Sequence, residues 1–313
     1  MIEKRHGPIA ITQRFYQLGI PSFPAYLSMG DDGMIIEGGT GATFDIIVDQ
    51  IKQLGIAPER IQYLALTHTH YDHIGAVLYL KRLWPHLKVI GGSAAVKSFK
   101  RLSEKKEALQ DFLETDSNIT KILLSKGEIA EVSPKLDSYI FKVDRVLEEE
   151  DSIDLGAGIV WTIHNTPGHS PCHISLNNKK EGTLVISDAT GFYVPEKDVF
   201  WPNYFESLET YCDSIRKLSN LPAQRLILGH NGIVEGEVSN YFQKAMRATE
   251  SYHFDIMERL QKNEDQEAIA LEKAKWVNGL TDIQTFEVIL GLTKLLMARS
   301  QSAPVNDSLF TIP

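Results

Sequence analysis

Cysteine is nearly missing from this chain: Cys172 and Cys212 are the only two in 313 residues. Two cysteines cannot build a disulfide framework, and their spacing fits neither a zinc ribbon nor a CxxC pair, so both are expected to be reduced packing residues. Long apolar runs are missing as well. No window reaches the roughly 18 uncharged apolar residues of a membrane span. The stretch MIEKRHGPIAITQRF sets Glu3, Lys4, Arg5 and Arg14 around a short apolar segment that is no signal-peptide core. The expectation is a cytoplasmic protein with no membrane partner. Positive charge is also scarce: 32 Lys and Arg against 41 Asp and Glu give a formal charge of -9. Nucleic-acid binding needs clustered cations to displace counterions, so no nucleic-acid partner is expected. The one basic run, Lys97-Ser98-Phe99-Lys100-Arg101 with Lys105-Lys106, is read as a solvated helix face.

What is present is core material, 43% hydrophobic residues, enough for one large domain or two ordinary ones. From Phe23 to about residue 92, short apolar runs alternate with amphipathic stretches. AYLSMG and GMIIEGG predict paired strands turning at Asp31-Asp32-Gly33; FDIIVDQIKQLG predicts a helix ended by Gly55. IQYLALT predicts a buried strand, IGAVLYLKRLW a helix stopped before Pro85, and LKVIGG another strand. About residues 93–128 predict a helical insertion, AAVKSFKRLSEKKEALQDFLE and then ITKILLSKG. Strands resume at SYIFKV, GIVWTIHN, TLVISDA and RLILGH. After Gly236 the apolar spacing is helical in three stretches, EVSNYFQKAMRATESYHFDIMERLQ, DQEAIALEKAKWV and DIQTFEVILGLTKLLMARS. The expected division is therefore 1–236, an α/β layered domain, and 237–313, a helical extension.

One loop carries most of the chemistry. LTHTHYDHIG holds His68, His70, Asp72 and His73 between a predicted strand and a predicted helix, at the sheet edge where ligands usually bind. Imidazoles two residues apart on an extended loop can point at one ion. The Asp and His that follow can turn toward a second position beside it. Three further candidates each follow an apolar, β-branched run: His169 in NTPGHSPCH, Asp188 in LVISDAT and His230 in LILGHNG.

This set resembles the metallo-β-lactamase superfamily, with its HxHxDH loop, Thr-Pro-Gly-His turn, Asp after a buried strand and late Gly-His, over about residues 10–235. The resemblance implies the family's four-layer αββα sandwich and two divalent metal ions, zinc or iron. It implies His68, His70 and His169 on the first, Asp72, His73 and His230 on the second, and Asp188 between them. One departure is that Ser187 precedes Asp188 where the family often has Gly. His173, four residues after His169, matches a position the family often fills with His, and is expected to orient a ligand or to pack. His164 is expected to be a hydrogen-bonded core residue.

Two ions a few ångströms apart would activate a water for attack, so the implied chemistry is hydrolysis of a carbonyl or phosphoryl substrate by metal-bound hydroxide. Asp72 is the expected proton shuttle. Downstream of Asp188, GFYVPEKDVFWPNYFESLETY is aromatic-rich; part of it is expected to line the pocket mouth, with Tyr193 as a catalytic phenol near the substrate oxygen. The helical insertion and extension are similar in layout to glyoxalase II and the quinolone-signal response thioesterases, which implies an acyl thioester of the acyl-CoA type as the small-molecule substrate. The alternatives are a lactone or ester hydrolase, an iron-dependent redox enzyme, and a regulatory protein acting through a partner. Oxygen-reducing relatives usually replace the second His of the motif with Glu, whereas His70 stands here. The long apolar-striped helix from about 237 to 262 makes a homodimer a further expectation.

Overall fold

The computed structural model describes residues 6–133, 136, 138–304 and 308–312. In the first half the chain forms β1 (Ile9–Ala10), β2 (Phe15–Ile20), β3 (Phe23–Met29), β4 (Gly33–Ile36), α1 (Phe44–Gln53), β5 (Ile61–Leu66), α2 (Tyr71–Leu83), β6 (Lys88–Gly92), α3 (Ser93–Glu104), α4 (Lys106–Ser125) and β7 (Arg145–Leu147). These strands make one sheet in sequence order, antiparallel through β4 and parallel from β4 to β7.

The second half adds β8 (Ser152–Asp154), β9 (Val160–Asn165), β10 (Ile174–Asn178), β11 (Thr183–Ser187), the hairpin β12 (Phe192–Val194) and β13 (Val199–Trp201), α5 (Leu208–Ser219), β14 (Arg225–Leu228) and β15 (Ile233–Glu235). Its main sheet runs β15-β14-β11-β10-β9-β8. Three helices close the chain: α6 (Val238–Gln261), α7 (Gln266–Asn278) and α8 (Phe286–Ser302).

Strand periodicity explains how these elements stack. In β4, Met34 and Ile36 face the other sheet while Ile35 faces the helices. Ala65 and its neighbours Leu64 and Leu66 divide in the same way, as do Val185 with Leu184 and Ile186. Both faces of these strands are covered, so their sequences are continuous apolar runs. The result is helix layer, sheet, sheet, helix layer, the αββα sandwich expected. The last helices join it directly: Phe242, Ile256, Ile269, Val277, Ile289 and Leu296 share one apolar cluster with β11, β14 and α5. Among the described residues no helix is long and apolar enough to cross a membrane.

Two local expectations are corrected. SYIFKV is not a strand; residues 138–143 run irregularly and pairing begins only at Arg145. Phe141 is pulled into an aromatic cluster, 5.5 Å from Phe99 and 5.7 Å from Phe112, while Ile140 is exposed. The insertion also breaks earlier than its pattern suggests, at Lys105, which is extended (φ -110, ψ 109). At about 100° per residue, an unbroken helix would set Phe99 and Phe112 roughly 220° apart. Both must meet Phe141, so the helix stops and restarts.

On α4, Asp116 accepts a hydrogen bond from the Gly41 N–H at 2.8 Å, and burial pushes its carboxyl up to about 6. A raised carboxyl stabilises the fold fully below its unfolded value of about 3.9 and loses that contribution as pH rises through about 6. Asn keeps the acceptor without the charge. Asp116→Asn is therefore expected to be more stable than the parent by about 1–2 kcal/mol at pH 8, with the gain vanishing near pH 4. Paired denaturant unfolding curves at the two pH values check this.

Candidate metal centre

β5 carries the motif to the sheet edge, where the chain leaves the strand at Thr67 and enters α2 at Tyr71. His68 and His70 thus come from the loop, and Asp72 and His73 from the first helical turn. Gly75 lets that turn lie against the 39–41 segment, since a Cβ there would sit 2.3 Å from the Gly41 nitrogen. His169 follows β9, held by Gly168 at φ +122, where a Cβ would meet the Tyr211 backbone at 2.3 Å. Asp188 directly follows β11, and His230 follows β14.

All seven expected ligands are brought together. His70 Nδ1 lies 3.1 Å from His68 Nε2 and 3.0 Å from His169 Nε2. His230 Nε2 lies 3.6 Å from Asp72 Oδ2, and His73 Nε2 lies 3.9 Å from Asp72 Oδ1. One carboxylate oxygen reaches both groups: Asp188 Oδ2 is 3.2 Å from His73, 3.4 Å from His169, 3.6 Å from His230 and 3.9 Å from His68. The trios His68-His70-His169 and Asp72-His73-His230 each keep their ligand atoms within 4.8 Å of one another.

The outward side of each ring shows which nitrogen is free. His169 Nδ1 donates to the Asn203 carbonyl at 3.0 Å, His230 Nδ1 to the Ser22 carbonyl at 2.6 Å, and His73 Nδ1 to Glu37 at 2.6 Å. Thr67 gives its hydroxyl proton to Glu37 at 2.6 Å and so accepts from His68 Nδ1 at 3.0 Å. Four rings therefore aim an Nε2 lone pair at the centre. His70 turns Nδ1 to the same place. His73 Nε2 is buried without a well-aligned hydrogen bond. Converging lone pairs repel unless a cation or proton lies among them, so this nitrogen and carboxylate set fits divalent cations.

The electrostatics agree. Burial holds His68 and His169 well below the ordinary imidazole range, and His70 below it. Burial would lower His73 and His230 too, but the carboxylates reverse it: Glu37, Asp188 and Asp72 carry His73 well above the range, and Asp188 chiefly raises His230. Burial alone would raise Asp188, yet His73 and His230 hold it well below the carboxylate range. The site thus prefers positive charge between its carboxylates, and a metal ion would displace protons to supply it.

Glu37 was not anticipated. It is 1% exposed, follows β4 directly at φ 66, and fixes both His73 and Thr67. Its signal was an acidic residue ending an apolar strand, the pattern that identified Asp188. His173 donates or accepts at Thr166 Oγ1, 2.9 Å away, and its ring lies tilted 5.1 Å from that of His68 without joining the ligand set. His164 is buried against Glu149 and Glu150, at 3.3 Å from each.

Tyr193 is a correction. Its hydroxyl donates to Asp198 at 2.8 Å, and its ring packs 4.4 Å from Phe200 and 5.3 Å from Tyr241, away from the centre. Strand alternation gives the reason: in β12 the neighbouring Phe192 takes the inward side, 5.3 Å from the His230 ring. The phenol that does line the site belongs to Tyr71. Gln284 Nε2 donates to its hydroxyl, which leaves the phenolic hydrogen free.

Above the centre is a cavity of about 210 Å³. Phe192, Trp201 and Phe205 supply part of its wall, as the aromatic segment suggested. Ile283, Val288, Leu292 and Leu295, from α8 and the residues before it, supply the roof.

The sequence profile of the Metallo-beta-lactamase superfamily matches residues 26–230. The probable metallo-hydrolase YflN of Bacillus subtilis (strain 168) is 28% identical over 241 residues, 72% of this chain and 83% of its own. Among solved structures, the metallo-beta-lactamase family protein TTHA1429 from Thermus thermophilus aligns with a TM-score of 0.62 at 20% identity, over 94% of this chain and 95% of that one. ST1585 from Sulfolobus tokodaii aligns with a TM-score of 0.54 at 18% identity, over 93% and 100%. At these identities the structures speak for the fold alone.

Proposed function

Since the chain belongs to the metallo-β-lactamase superfamily and is a metal-dependent hydrolase in its general chemistry, we propose that it hydrolyses an acyl thioester. The observation that carries the hydrolytic part is the outward tethering of four Nδ1–H groups, which commits four Nε2 lone pairs to one point. His68, His70 and His169 would hold one cation, Asp72, His73 and His230 a second, and Asp188 would contact both. Divalent cations bound there supply Lewis acidity that brings a water's pKa down from about 15.7 toward neutrality.

The remaining roles fall to the protein. Asp72 lines the cavity, and its side chain is 12% exposed. It takes the proton of the attacking water and passes it to the departing sulfur, so the carbonyl carbon gains a C–O bond and loses its C–S bond. Tyr71 directs its free O–H at the substrate oxygen. The apolar wall and roof receive the acyl chain and exclude water. A volume of about 210 Å³, below the roughly 300–1,000 Å³ of pockets that enclose drug-sized ligands, favours a short or single-ring acyl group.

The test compares a thioester, a lactone and a bis-aryl phosphate on one metal-loaded preparation, with a chelated control. The thioester is expected to exceed the other two by at least about tenfold in kcat/KM, with activity lost on chelation. A preference for the lactone or the phosphate would refute the thioester reading.

A further inference from the structure

Of the seven non-glycine residues whose φ lies in the left-handed region among the described residues, only Glu37 (φ 66) and Ser187 (φ 45) are buried, each 1% exposed. Left-handed backbone costs a residue with a side chain free energy that glycine does not lose, and buried instances concentrate where a site requires them. These two belong to one site. Ser187 ends β11 at an irregularity, where the register against β14 shifts between Val185 and Ser187. Such a bulge re-aims the chain, and here the next residue is Asp188, turned toward the centre. Glycine would make that turn without strain, so the backbone alone gives no reason for a hydroxymethyl group.

The reason lies in the partners of the hydroxyl. Ser187 Oγ is 3.2 Å from Thr67 Oγ1. Thr67 gives its single proton to Glu37 at 2.6 Å, so the Ser187 proton is the one left to reach that carboxylate, with which Ser187 is hydrogen-bonded. Glu37 thus takes three side-chain donors, from Thr67, Ser187 and His73 Nδ1. The surroundings leave room for the third: a Cβ on Gly229 would sit 3.0 Å from Ser187 Oγ, 3.0 Å from His73 Cε1 and 2.2 Å from Asp188 Oδ1.

We propose that Ser187 is a positioning residue for the metal centre: its backbone is held in an unfavourable conformation so that its hydroxyl completes the donor set of Glu37, which in turn fixes His73 and, through Thr67, His68. A buried carboxylate keeps its charge and its orientation only while donors meet its lone pairs. Without the Ser187 hydroxyl, Glu37 keeps two donors and holds both imidazoles less firmly. This inference rests on the metal-centre part of the proposed function and is independent of the thioester.

The test uses zinc(II) alone as the probe, with its affinity for chelator-treated protein measured by competition with a chromophoric chelator. Ser187→Gly is expected to bind zinc about tenfold more weakly than the parent, the low end of the cost of removing a group that orients a ligand. Ser187→Ala, which loses the hydroxyl but keeps the Cβ, should bind as weakly. Its metal-free form should unfold at lower denaturant concentration than metal-free Ser187→Gly, because alanine retains the backbone strain. In the Glu37→Gln background, where the charge it serves is gone, Ser187→Gly should cost less than about threefold, whereas a merely structural role would cost the same in both backgrounds. Parent affinity in Ser187→Gly, an undiminished further loss in Glu37→Gln, or equal denaturation midpoints for the Gly and Ala variants each overturn the proposal while leaving the metal centre standing. A parent that binds no zinc overturns the centre and the proposal together.

Discussion

Asp188→Asn is expected to lower kcat by about 10³-fold or more without unfolding the protein. Asn has nearly the same shape, so the packing behind β11 is kept; what disappears is the one negative oxygen within 3.9 Å of four imidazoles. A carboxylate between two cations offsets their mutual repulsion, and an amide does not. The loss of several kcal/mol of Lewis-acid stabilisation corresponds to about three powers of ten in rate. Added metal should not restore the rate. Steady-state kinetics across a metal titration, with circular dichroism as the control for folding, give the readout. A variant within tenfold of the parent would mean that Asp188 does not sit between cations.

Glu37→Gln is expected to weaken metal binding by about 10–100-fold, the usual cost of removing a carboxylate that orients a ligating imidazole. Glu37 holds His73 by Nδ1 and, through Thr67, fixes the tautomer of His68, so one buried charge serves both halves of the centre. Its carboxyl is itself held below the ordinary range: burial opposes this, and the charge and hydrogen bond of His73 prevail. Gln retains an acceptor but not the charge, so the rings stay oriented while their basicity falls. The variant should therefore regain most of its activity at high metal concentration, in contrast to Asp188→Asn. A metal titration followed by activity separates the two behaviours.

The ligand set was legible because each member ends an apolar strand, and strands of a sandwich deliver their ends to one edge. His169, Asp188 and His230 need no long-range information beyond that. Tyr193 was misplaced by a single residue: an aromatic pair in a short strand does not reveal which member points inward, and Phe192 took the inward side. Glu37 is harder to see because GMIIEGG reads as a strand of a hairpin with two glycines after the acidic residue, although that acidic end repeats the pattern around Asp188. Gln284 had no signal at all. Its place above Tyr71 depends on how α7 and α8 pack across the sandwich, more than 200 positions along the chain. The break at Lys105 was likewise set by tertiary demand, the need for Phe99 and Phe112 to reach one partner, rather than by local propensity.

The centre itself is tested by equilibrating the purified chain with zinc or iron(II), removing free metal, and measuring the content per chain by plasma mass spectrometry. Two grouped donor trios predict about two equivalents in the parent and about one or fewer in His169→Ala. A folded parent that retains no metal under either condition would contradict the account.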